Sequence, residues 1–201
     1  FKQHKNKKQI NFKIMKEIKT PLRYPGGKSR LSNKLVELFP EFDEYREPFL
    51  GGGSVFLATL QKFPNKKYFV NDIFSELATF WDCLIVDDKK LIQSINKFLH
   101  IYGLDGKGLF NFCKNINSED FTWNDIAAAF FILNRVTFSG TTLSGGYSEQ
   151  AFKTRLTDSS IKRLSDVHNL LKNASVSVTN EDYKVLLNKK NIDDRKEVFI
   201  Y

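Results

Sequence analysis

Apolar residues fall into two periodicities along this chain. Four short segments, 45–49, 68–71, 175–178 and 198–201, are rich in aromatic or branched residues, and each predicts a β-strand. Apolar residues recur at helical spacing over 54–61, 75–86, 90–101, 125–136 and 159–172, the last with Thr157 or Asp158 as a plausible N-cap. Strands alternating with helices predict an α/β domain with a mainly parallel sheet. The stretch 87–155 breaks that alternation. It is helical and punctuated by glycines, with no clear central strand, and reads as an insert between two parts of one α/β domain, 21–86 and 156–201. No repeat of solenoid period and no low-complexity tract is present.

Composition narrows this picture. A chain of 201 residues with 41% hydrophobic content suits one compact core, or a core with a small insert, and not two large domains. Lys plus Arg number 31 against 23 Asp plus Glu, a formal charge of +8, which suits a polyanionic partner and equally plain solubility. Seven lysines and one acid lie within residues 1–20, predicting a basic N-terminal arm or short helix. No apolar h-region or small-residue cleavage site follows these lysines, and no apolar run approaches membrane-spanning length. The expectation is a soluble, cytoplasmic protein without a membrane partner. Cys83 and Cys113 lack CxxC or Cys/His ligand spacing and are expected as small, buried or partly buried thiols, with neither a disulfide nor a metal site.

Four strings carry candidate chemistry. The first, from Arg23 to Ser29 (R-Y-P-G-G-K-S), ends like a phosphate-binding loop, but Leu22 stands where that loop needs its other glycine. It reads either as a Pro-Gly turn with a solvated lysine or as a loop placing Tyr24 and Lys28 over a ligand. In the second, three glycines, 51–53, lie between a predicted strand and a predicted helix, where missing side chains and a helix N-terminus suit close approach of a ligand carboxylate. Phe56 occupies the third glycine position of G-x-G-x-x-G, so the nicotinamide fingerprint is not met. The third is Asn71-Asp72 at a strand end, at the spacing after the glycines where nucleotide-binding folds place an acid on a ribose diol. Asp72 serves equally as the N-cap of the helix that follows. In the fourth, an apolar helix ends at Asn134-Arg135 and gives way to hydroxyls, glycines and aromatics up to Tyr147, groups that suit base edges and phosphates. Lys153 and Arg155 follow closely. An exposed loop with one structural arginine is the alternative.

In order and spacing these strings resemble the Dam-like adenine-N6 DNA methyltransferases. That family shows an aromatic-x-G-G-K loop, then E-P-F-x-G-x-G-S-V-F, an acid after the next strand, and N-R-x-x-(F/Y)-x-G. Here they read Tyr24 to Lys28, Glu47 to Phe56, Asp72 and Asn134 to Gly140. The resemblance implies a Rossmann-like sheet that binds S-adenosyl-L-methionine and carries a helical DNA-recognition insert over 87–155. By the same resemblance, Tyr24 and Lys28 help to bind the cofactor, Phe49, Gly51 and Gly53 line its methionine end, and Asp72 holds the ribose. Asp182, in the string from Asn180 to Tyr183, is similar to the family's acid-aromatic site at the cofactor adenine. Double-stranded DNA falls to Arg135, Ser139, Thr141, Thr142, Tyr147, Lys153 and Arg155.

Such enzymes flip the target adenine out of the duplex and place its amine in line with the cofactor methyl. In the family an Asp-Pro-Pro-Tyr tetrapeptide follows a strand like 198–201. The sequence stops at that strand, so the chain is expected to be truncated before the catalytic motif, to hold no catalytic residue and to be inactive alone. The implied role is DNA methylation marking or restriction-modification. A catalytically inactive DNA-binding remnant and a nucleotide-binding module without a nucleic-acid role are the alternatives. Thr141-Thr142-Leu143-Ser144 replaces the Gly-Leu-x-Arg run of GATC-methylating members, which speaks against GATC as the recognition sequence.

Overall fold

A computed structural model describes residues 17–188 and 196–201; most of the predicted basic arm lies outside the described residues. Strands β1 (Glu44–Glu47), β2 (Lys67–Asn71), β3 (Ser175–Thr179) and β4 (Val198–Ile200) form one sheet in the order β3-β2-β1-β4, every pair parallel. Tyr45 stands opposite Tyr68 on one side and Phe199 on the other. These are the four predicted strands. The first ends at Glu47 rather than at 49, because Pro48 has no N–H to give to a ladder. All of β1 is buried, as befits a central strand covered on both faces.

Nine helices are described: α1 (Ser32–Glu37), α2 (Ser54–Lys62), α3 (Ser75–Val86), α4 (Asp88–Tyr102), α5 (Gly106–Asn115), α6 (Trp123–Val136), α7 (Glu149–Arg155), α8 (Asp158–Leu171) and α9 (Tyr183–Leu187). The five predicted helices are α2, α3, α4, α6 and α8. Thr157 caps α8 through a reciprocal bond pair with Ser160, which decides between Thr157 and Asp158. At α4 the Asp87 side chain accepts from the amides of Lys89 and Lys90, so the helix starts before residue 90. The unpredicted helices are short. In α5, Gly106 and Gly108 read as loop punctuation, yet the Asp105 carboxylate accepts from the Gly108 amide and starts a helix there.

The main core cluster joins the sheet to the helices of segment 87–155, with Tyr45, Tyr68, Phe56, Trp81, Phe80, Phe98 and Phe131 among its largest buried side chains, and a smaller cluster of Val36, Val55 and Ala58 lies apart from it. Helix α6 is buried from Asp125 to Val136, and its small residues Ala127, Ala128 and Ala129 let α3 and α4 pack closely against it. A buried ion pair between Arg46 and Glu44, 2.7 Å long, lies within β1, and Arg46 Nη1 donates to the Leu186 carbonyl at 3.1 Å, tying α9 to β1. Breaking such a pair strands a charge in the core. Cys83 and Cys113 are buried free thiols, pushed up to about 11 and about 12 chiefly by desolvation.

Candidate cofactor cleft and DNA-facing loop

Strand β1 lies between β2 and β4, so the chain leaves it to one side and returns on the other. Open parallel sheets bind ligands outside the strand C-termini at such a switch point. The loop from Pro48 to Gly53 sits there. Gly51 and Gly53 adopt left-handed φ values of +49° and +64°. The loop is gripped from several sides: Thr20 Oγ1 donates to the Gly52 carbonyl and Trp81 Nε1 to the Gly51 carbonyl at 3.2 Å. A Cβ on Gly52 would lie 2.8 Å from Tyr24 Cβ, and one on Gly53 would lie 2.5 Å from Trp81 Cζ2. The glycines therefore answer to packing between Tyr24 and Trp81 as well as to any ligand.

Asp72, at the end of β2, is buried and anchors this loop. Its Oδ2 accepts from the Gly51 amide at 2.8 Å and its Oδ1 from the Phe74 amide at 3.0 Å, at the start of α3. Each oxygen keeps lone-pair capacity beyond these bonds. Asn71 staples three strand ends together. Its Nδ2 donates to the carbonyls of Pro48 and Glu181, and its Oδ1 accepts from Thr179 Oγ1 at 2.7 Å and from the Glu181 amide at 3.0 Å. Asn180 Nδ2 donates to the Asp72 carbonyl at 2.8 Å. Around these polar staples, Phe49 is 68% exposed, Ile73 69% and Tyr183 38%, with the Phe49 and Tyr183 rings 5.4 Å apart. Exposed apolar groups beside an acid at strand ends fit a flat heterocycle carried on a sugar.

Tyr24 lies across the glycine loop, its hydroxyl raised above the usual phenol value by burial and then by Asp72. Lys28 is exposed and donates to the Gly26 carbonyl at 2.9 Å, turned onto its own loop. Asp182 is exposed and caps α9 by accepting from the Lys184 amide. Beneath the cleft, Tyr45 Oη donates to Glu47 Oε2 at 2.6 Å, and desolvation, with Asp72 adding to it, pushes Glu47 up to about 8 despite that bond.

On the other side of Tyr24, α6 ends in a compact loop. Fully buried Asn134 accepts from the Arg23 amide at 2.9 Å and donates to the carbonyls of Arg23 at 2.6 Å and Gly140 at 3.2 Å. A Cβ on Gly140 would lie 2.6 Å from the Arg23 carbonyl oxygen. The loop and the Tyr24 segment are thus stitched to one another. Ser139 and Thr142 take positive φ, 53° and 50°, in two 3-10 turns, and Phe138 projects with 75% exposure.

A family model, D12 class N6 adenine-specific DNA methyltransferase, matches residues 24–201. The chain belongs to this family. It is 29% identical over 139 residues to the type II methyltransferase M.MjaIII of Methanocaldococcus jannaschii, covering 62% of this chain and 47% of that protein. It is 30% identical over 133 residues to a DNA adenine methylase of Vibrio cholerae, covering 63% and 44%. It is also similar to a DNA N-6-adenine-methyltransferase of Escherichia phage P1, 28% identical over 120 residues, covering 60% and 15%. The chain spans about half the length of the first two relatives.

For this D12 class chain, Tyr24, Phe49, Gly51, Gly53, Asp72 and Asp182 gather around the strand ends, with Lys28 exposed and bonded to its own loop. The candidate DNA residues separate further. Ser139 and Arg155 are exposed, whereas Arg135 retains only 5% exposure and Thr142 8%. Tyr147 donates to Glu149, which also pairs with Lys153 at 2.9 Å, and Thr141 Oγ1 donates to the Phe138 carbonyl. Sequence reasoning missed the stapling roles of Asn71 and Asn134 and the exposure of Phe138, although all three stand inside the strings it singled out. Ile73, next to Asp72, carried no signal beyond that adjacency.

Proposed function

We propose that this chain binds S-adenosyl-L-methionine at the strand-end cleft and double-stranded DNA on the face that carries loop 137–147. It does so as part of an enzyme that methylates adenine N6, in methylation marking or restriction-modification. The observation that carries the reading is the exposed trio Phe49, Ile73 and Tyr183 beside Asp72 at the switch point, joined through the Arg23–Tyr24 segment and Asn134 to the Phe138 loop. When bound, the cofactor supplies an electrophilic methyl group. Asp72 has lone pairs for the ribose hydroxyls while it holds the glycine loop open. The Asp182 carboxylate can accept from the adenine amine, Phe49 and Tyr183 can cover the ring, and the Tyr24 ring shields the methionine end. DNA meets Ser139, Phe138 and Arg155, with Thr141, Thr142 and Tyr147 shaping the loop and Lys153 beside it.

Titration calorimetry with S-adenosyl-L-methionine and fluorescence anisotropy with a labelled duplex test this. Saturable binding of both by the folded chain is expected, with Asp182→Ala weakening the cofactor and leaving the duplex unaffected. A folded chain that binds a duplex but no cofactor would overturn the cleft assignment.

A further inference from the structure

We propose that Arg23, Arg135, Arg155 and Arg163 form one binding site for a phosphate of the DNA backbone, an inference that rests on the DNA-binding reading above and adds a site to it. Arg135, in the last turn of α6, has 5% exposure, and among the described residues its Nε and Nη2 have no hydrogen-bond partner. Its guanidinium carbon lies 5.1 Å from the Phe131 ring centroid, so one of its faces is occupied. Around it stand Arg23 from the Tyr24 loop, Arg155 from the end of α7 and Arg163 from α8. Desolvation, and then Arg163, Arg23 and Arg155 in turn, bring Arg135 down to about 10, and burial followed by Arg155 lowers Arg23. Among the described residues none of the four makes an ion pair with a carboxylate.

Four guanidiniums from separate chain segments repel one another, and a buried one without a counter-charge destabilises the fold that holds it. A fold keeps such a group where an anion completes it. Arg155 and Arg163 are exposed, Arg23 is half-buried and Arg135 is buried, so the four run from solvent into the fold. The guanidinium fork matches the oxygens of a phosphate, and a duplex offers these at regular intervals. Placement favours the duplex. Arg23 Nη1 donates to the carbonyls of Arg135 at 3.4 Å and Thr137 at 3.3 Å, immediately before exposed Phe138, so the cluster is bolted to the base of the DNA-facing loop.

Thermal melts in chloride buffer with low-millimolar inorganic phosphate at matched ionic strength provide the first arm. The parent midpoint is expected to rise saturably. Arg163→Gln, an exposed change that spares the core, should abolish that rise. Arg135→Met should abolish it too while melting at or above the parent in chloride, because a buried unpaired charge is gone. In the second arm, duplex affinity over a salt series should lose about 0.9 in log–log slope in Arg163→Gln, equally for every duplex sequence. A parent with no saturable phosphate response overturns the site. A saturable response with an unchanged Arg163→Gln salt slope overturns the DNA backbone as its occupant. A parent that responds to phosphate but binds no duplex refutes the proposed function instead and leaves an anion site alone.

Discussion

Replacing Asp72 by Ala tests the cleft and the fold that builds it in one change. Asp72 has 8% exposure and accepts from two backbone amides in different segments, Gly51 at 2.8 Å and Phe74 at 3.0 Å. Hydrogen bonds to a charged acceptor contribute about 1.5–3 kcal/mol each, the upper end applying when water cannot replace the acceptor. The Gly51 bond is buried; the Phe74 bond is half-buried, and water offsets part of its loss. A total destabilisation of about 3 kcal/mol follows for Asp72→Ala. Asp72→Asn keeps one acceptor oxygen but loses the charge and turns an NH2 toward the second donor, so about half that loss is expected. Urea unfolding reads both, with the slope m unchanged between variants. Cofactor affinity, measured by calorimetry below the transition, should fall at least roughly tenfold in Asp72→Ala, about 1.4 kcal/mol, because the glycine loop loses its anchor and the ribose its acceptor. A parent-like urea midpoint would refute the claim that these two bonds hold the loop. Full affinity in a folded Asp72→Ala chain would remove Asp72 from the site.

Gly53→Ala should destabilise by about 2–4 kcal/mol, from a left-handed backbone and overlap with the fully buried Trp81 ring. Trp81→Phe in the same chain should recover part of that loss, and strict additivity in the double-mutant cycle would contradict the clash. The Glu47 carboxyl is raised to about 8 from 4.5, so the folded chain binds an extra proton between those values. Its stabilising contribution is full below pH 4.5 and is lost as pH rises through about 8, so melting temperature should fall over this window in the parent but not in Glu47→Gln. Coincident pH profiles for the two proteins would show that Glu47 does not titrate this way. Phe138 is 75% exposed, so Phe138→Ala should change stability by less than about 0.5 kcal/mol. Anisotropy should show a loss of duplex affinity of about 1–3 kcal/mol if its ring contacts bases, and unchanged affinity would remove Phe138 from the interface.

Much of this arrangement was legible in the chain because it depends on local rules. The strands carry runs of aromatic and branched residues, the long helices carry period and, in α4, α6 and α8, a capping side chain, and the glycine loop followed by Asp72 stands at a fixed offset between a strand and a helix. Where reading faltered, the signal was short or ambiguous. Helices α1, α7 and α9 are only 5–7 residues long, too short for periodicity to separate them from loops, and in α5 the glycines Gly106 and Gly108 read as loop. Arg135 illustrates the deeper limit. The same letter at a helix end serves a solvent-facing base reader and a buried cation equally well, and only its neighbours distinguish them.

Sequence by itself determined the alternation of strands and helices, the place of the glycine loop and the acid, and the existence of a loop rich in hydroxyls after α6, since each is a pattern local in the chain. Tertiary structure alone decided that three glycines are packed between Tyr24 and Trp81, that Asn71 joins three strand ends, and that Asn134 ties the Tyr24 segment to the Phe138 loop. It alone brought Arg23, Arg135, Arg155 and Arg163 together, from positions up to 140 residues apart (163 minus 23). Hydrogen bonds and Coulomb repulsion depend on distance in space, and a linear pattern specifies that distance only within an element. Between elements it is set by how the buried faces of β1, α3 and α6 pack.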